Sequence, residues 1–180
     1  MLAQEAAFEF DLREVLLVPV RESPYKRIDP EPGSELRMEM ARLAAATDEL
    51  LEASDVEVGR EGPSFTFRTL ELLSEARPSD QFVFVMGADV AAGLEGWREP
   101  ERVLEMARLG IAARPGAALK EAEEAVERLG ARDRARIVEM PEIGVSSSEI
   151  RRRVADGRPI KHLVPEAVAT LIAERRLYRA

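Results

Sequence analysis

At 180 residues, 46% of them hydrophobic, the chain has material for one sizeable core, and its 33% of charged residues argues against both disorder and a wholly membrane-embedded protein. The 26 lysines and arginines fall short of the 34 aspartates and glutamates, leaving a formal charge of −8 that speaks against broad electrostatic binding to nucleic acid or anionic lipid. Cysteine is absent, which removes disulfides, thiolate zinc sites and a thiol nucleophile together, and the single histidine, His162, cannot supply a two-histidine device.

The first ten residues read as a helix with Leu2, Ala3, Ala6, Ala7 and Phe10 apolar. Glu5 and Glu9 lie where a secretory leader would be basic, and no stretch reaches the apolar length of a membrane span, so a cytoplasmic protein is expected. No strand precedes this helix, although the first strand of a doubly wound sheet usually lies centrally and carries a phosphate-holding loop. Residues 15–20 form a continuous apolar run of strand length. Leu36, Met40, Leu43 and Ala44 then predict a helix over 35–46, with Ser34 as its N-cap. A weaker, partly alternating strand covers 50–58, and Phe67, Leu70 and Leu73 predict a helix over 66–76.

Residues 82–86 and 109–113 are further strands apolar on both faces, and 137–140 is a weaker one. The segment 119–129 places Leu119, Ala122, Val126 and Leu129 on one helical face, with Glu124 four residues before Arg128 and Gly130 as a stop. The last helix starts at Pro165 and runs to about Arg175. Strand and helix alternate throughout, without an internal repeat or a dividing linker. The prediction is one α/β domain over 1–180 with a mainly parallel, doubly wound sheet in a three-layer α/β/α arrangement.

Ligands of such sheets bind beyond the carboxyl ends of the strands. After 15–20 comes a turn with Arg21, Lys26 and Arg27; after 82–86 comes Gly87-Ala88-Asp89; after 109–113 comes Arg114-Pro115-Gly116. The segment after 137–140 ends in Val145-Ser146-Ser147-Ser148-Glu149-Ile150-Arg151, in which Ser146 and Glu149 have capping-box spacing. A helix end with free N–H groups, two further hydroxyls and Arg151 suits a phosphate, although a well-capped surface helix has the same pattern. Gly87 and Asp89 equally fit a turn and a helix cap, Trp97 fits core packing, and Lys26 and Arg114 fit solvated charges. His162, just ahead of the last helix, reads as a lead-in residue. No G-x-x-x-x-G-K-[ST] or G-x-G-x-x-G run is present, which removes the main support for P-loop and dinucleotide-dehydrogenase functions.

Taken in order, REGPSFTFRTL at 60–70, MGADVAAGLEGWREPERVLEMARL at 86–109, ARPG at 113–116 and VSSSEIRRRV at 145–154 are similar to bacterial nicotinate-nucleotide adenylyltransferases, of the nucleotidylyltransferase superfamily. LAQEA at 2–6, EVLLVPV at 14–20, ELRMEMARLA at 35–44 and LVPEAVATLI at 163–172 extend the likeness over nearly the whole chain. The resemblance implies a Rossmann-like domain that lacks the family's first strand and its G-x-F-x-P-x-H-x-G-H loop. It therefore assigns no catalytic residue here and implies weak ATP binding and slow turnover. The implied reaction is adenylyl transfer from ATP, with Mg²⁺ on its phosphates, to nicotinate mononucleotide. By matching position, Gly87 and Asp89 meet the ribose and adenine side of ATP, and Ser146, Ser147, Ser148 and Arg151 its phosphates. Thr66 and Trp97 line the nicotinate pocket, and Lys26 and Arg114 add charge for the substrate phosphates; no residue is assigned to a resident metal. Tyr25 and Arg68 depart from the family pattern. The alternatives are a non-catalytic nucleotide-binding fragment, or transfer onto nicotinamide mononucleotide or phosphopantetheine. Nucleic acid and membrane are not expected as partners, and a homo-oligomer is compatible with this reading.

Overall fold

The computed structural model describes residues 1–22, 32–113, 118–141 and 143–179. In chain order the elements are α1 (Leu2–Phe10), β1 (Val15–Leu17), α2 (Ser34–Ala45), β2 (Leu51–Ala53), α3 (Thr66–Ala76), β3 (Phe82–Gly87), α4 (Ala88–Ala91), α5 (Pro100–Met106), β4 (Ala107–Ala113), α6 (Leu119–Arg128), β5 (Ala135–Glu139), α7 (Ser147–Ala155) and α8 (Glu166–Glu174). Short 3-10 turns lie at Leu94–Gly96 and Arg132–Arg134. Packing divides the chain into two compact units, Met1–Arg13 with Phe65–Glu142, and Glu14–Ser64 with Ile143–Ala180.

The first unit is built on the parallel sheet β3-β4-β5. Its register aligns Phe84 with Leu109 and Ala135, and Met86 with Ile111 and Ile137, so these side chains share one face. That face packs against Phe67 and Leu70 of α3, Val103 and Leu104 of α5, and Ala122 and Val126 of α6. Val83, Val85 and Val138 alternate to the opposite face and meet Ala6 and Phe10 of α1. Helices therefore cover both faces, as the apolar runs predicted.

Gly110 at the middle of β4 leaves room for Phe10 of α1. A Cβ there would stand 3.1 Å from Phe10 Cε2 and 3.4 Å from Val85 and Val138. The Phe10 ring is flanked by the guanidinium groups of Arg108 and Arg136, at 5.3 and 5.8 Å from its centroid.

The second unit holds β1 and β2, paired in parallel with Val15 opposite Leu51 and Leu17 opposite Ala53. Bonds from Val15 N–H to the Leu50 carbonyl (2.8 Å) and from Ser54 N–H to the Leu17 carbonyl (2.9 Å) extend the ladder at each end. Met38 and Ala45 of α2, Ile150 of α7, and Val168, Leu171 and Ile172 of α8 are its buried helical residues.

The helices over 66–76 and 119–128 and the parallel pairing follow the sequence pattern, and several details correct it. The described strands form two sheets rather than one. The run at 15–20 is a strand only over Val15–Leu17, and 50–58 only over Leu51–Ala53. Beyond Ala53 the backbone turns on itself, with Val58 N–H bonded to the Asp55 carbonyl and Arg60 N–H to that of Glu57. Ser34 is the first helical residue rather than the cap; Gly33 takes the cap position at φ 90°, a conformation that glycine adopts without a Cβ penalty. The short helices α4 and α5 lack a period long enough to read, although Pro100 stands at the first turn of α5.

Candidate functional site

In the first unit, β3 ends on Gly87 and the chain enters α4 at once, bringing Asp89 into the first turn of that helix. The Asp89 carboxylate folds back over Gly87, so that a Cβ at Gly87 would stand 2.5 Å from Asp89 Oδ1. The neighbour is the end of an exposed side chain, and Gly87 itself has an ordinary extended backbone at φ −72°. Asp89 itself stays exposed at the positive end of the helix, where a carboxylate is favoured.

Trp97 follows the 3-10 turn at Leu94–Gly96 and sets its ring edge-to-face on Phe84 of β3, with centroids 5.7 Å apart and an interplanar angle of 83°. That contact pins one part of the indole and leaves the residue half-buried. Thr66 opens α3 beside Phe65, whose ring stacks on Phe67 at 6.2 Å and carries the Arg98 guanidinium 4.9 Å above it. Nothing in the sequence pattern singles out Arg98. As the neighbour of Trp97 it brings a cation to the aromatic edge next to Thr66, and only the distance to Phe65 reveals it.

In the second unit, Ser146 caps α7. Its Oγ accepts the backbone N–H of Glu149 at 3.1 Å, as the spacing predicted. The reciprocal half of the capping box gives way to ion pairing, because the Glu149 carboxylate turns to Arg152 and Arg153. Ser147 and Ser148 occupy the first turn, exposed, where backbone N–H groups have no intrahelical acceptor. Arg151 Nη2 donates to Ser148 Oγ at 3.2 Å, which holds a guanidinium and three hydroxyls at one helix N-terminus. Such an end concentrates N–H donors, partial positive charge and a full cation, the chemistry that binds a phosphate.

Tyr178, half-buried near the chain end, also senses this group of cations. Burial raises its phenol above the ordinary tyrosine range, with Arg151 and Arg37 pulling the other way. Burial likewise lowers the Arg37 guanidinium, partly offset by Tyr178.

Lys26, Tyr25 and Arg114 lie outside the described residues. Arg68, exposed, points along α3 to Glu71 Oε2 at 2.7 Å, a largely covered carboxylate that also pairs with Arg102. His162 is exposed at φ 65° in the turn between Lys161 and Val164, consistent with a lead-in residue. Among the described residues, no three of the His, Asp and Glu side chains gather in a way that could cage a metal ion.

The model of the cytidylyltransferase-like family matches residues 1–153. Over 178 residues the chain is 38% identical to the "Probable nicotinate-nucleotide adenylyltransferase" of Roseiflexus sp. (strain RS-1), covering 99% of this chain and 89% of the relative. A protein of the same name from Thermus thermophilus is 38% identical over 179 residues, with 99% and 90% covered. Among solved structures, the nicotinic acid mononucleotide adenylyltransferase of Plasmodium falciparum complexed with APC superimposes with a TM-score of 0.74 at 17% identity, over 99% of this chain and 88% of that one. The same enzyme complexed with NaAD gives 0.72 at 18% identity, over 98% and 90%. At such identity these two structures speak for the fold, Rossmann-like α/β.

Proposed function

Since the chain belongs to the cytidylyltransferase-like family and, within it, to the nicotinate-nucleotide adenylyltransferases, we propose that it transfers an adenylyl group from ATP to nicotinate mononucleotide, forming nicotinate adenine dinucleotide and pyrophosphate in NAD biosynthesis. The observation that supports this reading is the N-terminus of α7, where the hydroxyls of Ser146, Ser147 and Ser148 and the Arg151 guanidinium gather at a helix end suited to a phosphate, within a segment matching the family. A phosphate oxygen of the mononucleotide attacks the α-phosphorus of ATP in line. The new O–P bond forms as the bond to the oxygen bridging to the β-phosphate breaks, and pyrophosphate leaves with that electron pair. Such a transfer needs alignment and charge neutralisation rather than a covalent protein nucleophile, which suits a chain without cysteine.

In this reading Gly87 and the exposed Asp89 meet the ribose and adenine side of ATP. Ser146, Ser147, Ser148 and Arg151 take the ATP phosphates. Trp97, held by its edge on Phe84, offers a ring to the pyridine, and Thr66, at the entry of α3, shares that role. Lys26 and Arg114 add positive charge for the substrate phosphates. Mg²⁺ enters as the ATP complex, as part of the substrate, and is bound mainly by phosphate oxygens and water. The family match runs through both packing units, which supports one nucleotidylyltransferase-like domain over 1–180. No described helix is long and apolar enough to cross a membrane, and a cytoplasmic location is proposed with the function.

The test is to incubate the protein with ATP, Mg²⁺ and, separately, nicotinate mononucleotide, nicotinamide mononucleotide and phosphopantetheine, and to separate the products by chromatography. The expected result is nicotinate adenine dinucleotide and pyrophosphate in equal amounts, with the other two acceptors used less well. Product from phosphopantetheine alone, or nucleotide binding without product from any acceptor, overturns it.

A further inference from the structure

Nicotinate mononucleotide and nicotinamide mononucleotide differ at one substituent of the pyridine ring, a carboxylate in the first and a neutral carboxamide in the second. Neither residue assigned to that ring tells them apart by charge. An indole stacks on either ring, and a threonine hydroxyl, which both donates and accepts, serves either substituent. Discrimination by charge needs a cation beside the ring, and the first unit places one there. Arg98 follows Trp97 in the chain, and its guanidinium lies 4.9 Å above the ring of Phe65, the residue before Thr66. It therefore bridges the turn that presents the indole and the start of α3 that presents the threonine. Both ends of the bridge stand on one floor, because Phe65, Phe84 and Trp97 pack against the same apolar cluster. The acids closest to the turn in sequence are engaged by other arginines: Glu95 accepts from Arg128 at 2.9 and 2.7 Å, and Glu99 from Arg102 at 2.7 Å. No acidic residue stands in the first turn of α3.

We propose that Arg98 sets the preference for the acid over the amide: its guanidinium pairs with the ring carboxylate of nicotinate mononucleotide and meets only a neutral carbonyl in the amide. A guanidinium fork matches a carboxylate in charge and in shape. The face of Phe65 holds the group near its working position, which reduces the side-chain freedom left to lose on binding. The inference rests on the function proposed above and adds to it the origin of the substrate choice. The effect falls on the acceptor and not on ATP.

The test measures kcat/KM for nicotinate mononucleotide and for nicotinamide mononucleotide at saturating ATP, with KM for ATP and melting curves alongside. The chains compared are the wild type, Arg98→Lys, Arg98→Gln, Arg98→Glu and, as the control for losing a ring-stacked guanidinium, Arg102→Gln, whose arginine lies 5.1 Å over Phe67. Arg98→Gln is expected to lower kcat/KM for the acid about tenfold, the scale of one charge-assisted hydrogen bond, while that for the amide stays within about twofold. The ratio of acid to amide then falls in the order wild type, Lys, Gln, Glu, with KM for ATP unmoved, and Arg102→Gln leaves it where it was. Arg98 is exposed, and should one of its variants not fold, the order among the others decides. A ratio that does not follow the charge at position 98, or one lowered as much by Arg102→Gln, overturns the proposal. A wild-type chain that uses neither mononucleotide overturns the functional reading and this inference with it; one that uses nicotinate mononucleotide, but no better than the amide or with a ratio unmoved by the variants, overturns this inference alone.

Discussion

In the unit built on β3, β4 and β5, Trp97 and Gly87 adjoin the apolar core. Trp97 rests on Phe84, and Gly87 ends a strand beside Leu109, Ile111, Val103 and Ala91, none more than 1% exposed. In the unit built on β1 and β2, the corresponding residues are held by polar contacts. Ser146 caps α7, Arg151 bonds Ser148, and Arg37 and Arg21 hold main-chain carbonyls. Under the proposed assignments, ring recognition in the first unit would be positioned by packing, which is stiff and insensitive to salt. Phosphate recognition in the second would be positioned by hydrogen bonds and partial charges, which are worth less each and depend on geometry.

The largest expected effect tests the packed side of that contrast. Leu109→Ala deletes a fully buried side chain from the central strand and is expected to cost about 3 kcal/mol, whereas Ile150→Ala, in the second unit and 8% exposed, is expected to cost about 2 kcal/mol. Urea unfolding gives both values, and equal losses would break the distinction. On the polar side, Ser146→Ala removes the only side-chain cap found at the described helix starts and is expected to cost about 1 kcal/mol, with a weaker ATP complex. Unchanged stability and unchanged ATP binding would show that the hydroxyl is idle.

The smallest effect is a pH dependence. Tyr178 has a folded-state pKa raised by burial, so above the unfolded value, roughly pH 10, the unfolded chain releases the phenol proton while the native chain keeps it. The native state then binds more protons, and stability falls as pH rises until the folded value is passed; below the unfolded value the contribution is fully present. Tyr178→Phe is expected to flatten this part of the stability curve relative to the wild type. Parallel curves would show that burial of the phenol has no energetic consequence.

What is legible in the sequence follows the same division. Helices 66–76 and 119–128 and the buried strands are readable because apolar period encodes packing directly. The Ser146 cap is readable because its partner is three residues away, and so is the pair of Glu124 and Arg128, observed at 3.8 Å. The stronger grip on Arg128 is not. Glu95 Oε2 accepts from both Nε and Nη2, at 2.9 and 2.7 Å, from 33 residues upstream. That pair lowers the Glu95 carboxyl below its ordinary range and raises Arg128. The hydrogen bonds of the Arg21 and Arg37 guanidinium groups are equally hidden, because their acceptors are backbone oxygens with no side-chain signature. The run at 15–20 reads as too long a strand, since apolarity marks burial and cannot tell a paired strand from extended chain held by an arginine.

The division of labour itself is tested most directly by steady-state kinetics on Arg151→Ala and Trp97→Ala, with KM measured for both substrates in each. Arg151→Ala is expected to raise KM for ATP about tenfold and leave that for nicotinate mononucleotide within about twofold, and Trp97→Ala to do the reverse. Both constants moving together in both variants would contradict the assignment of phosphate to the polar set and of the pyridine to the packed one.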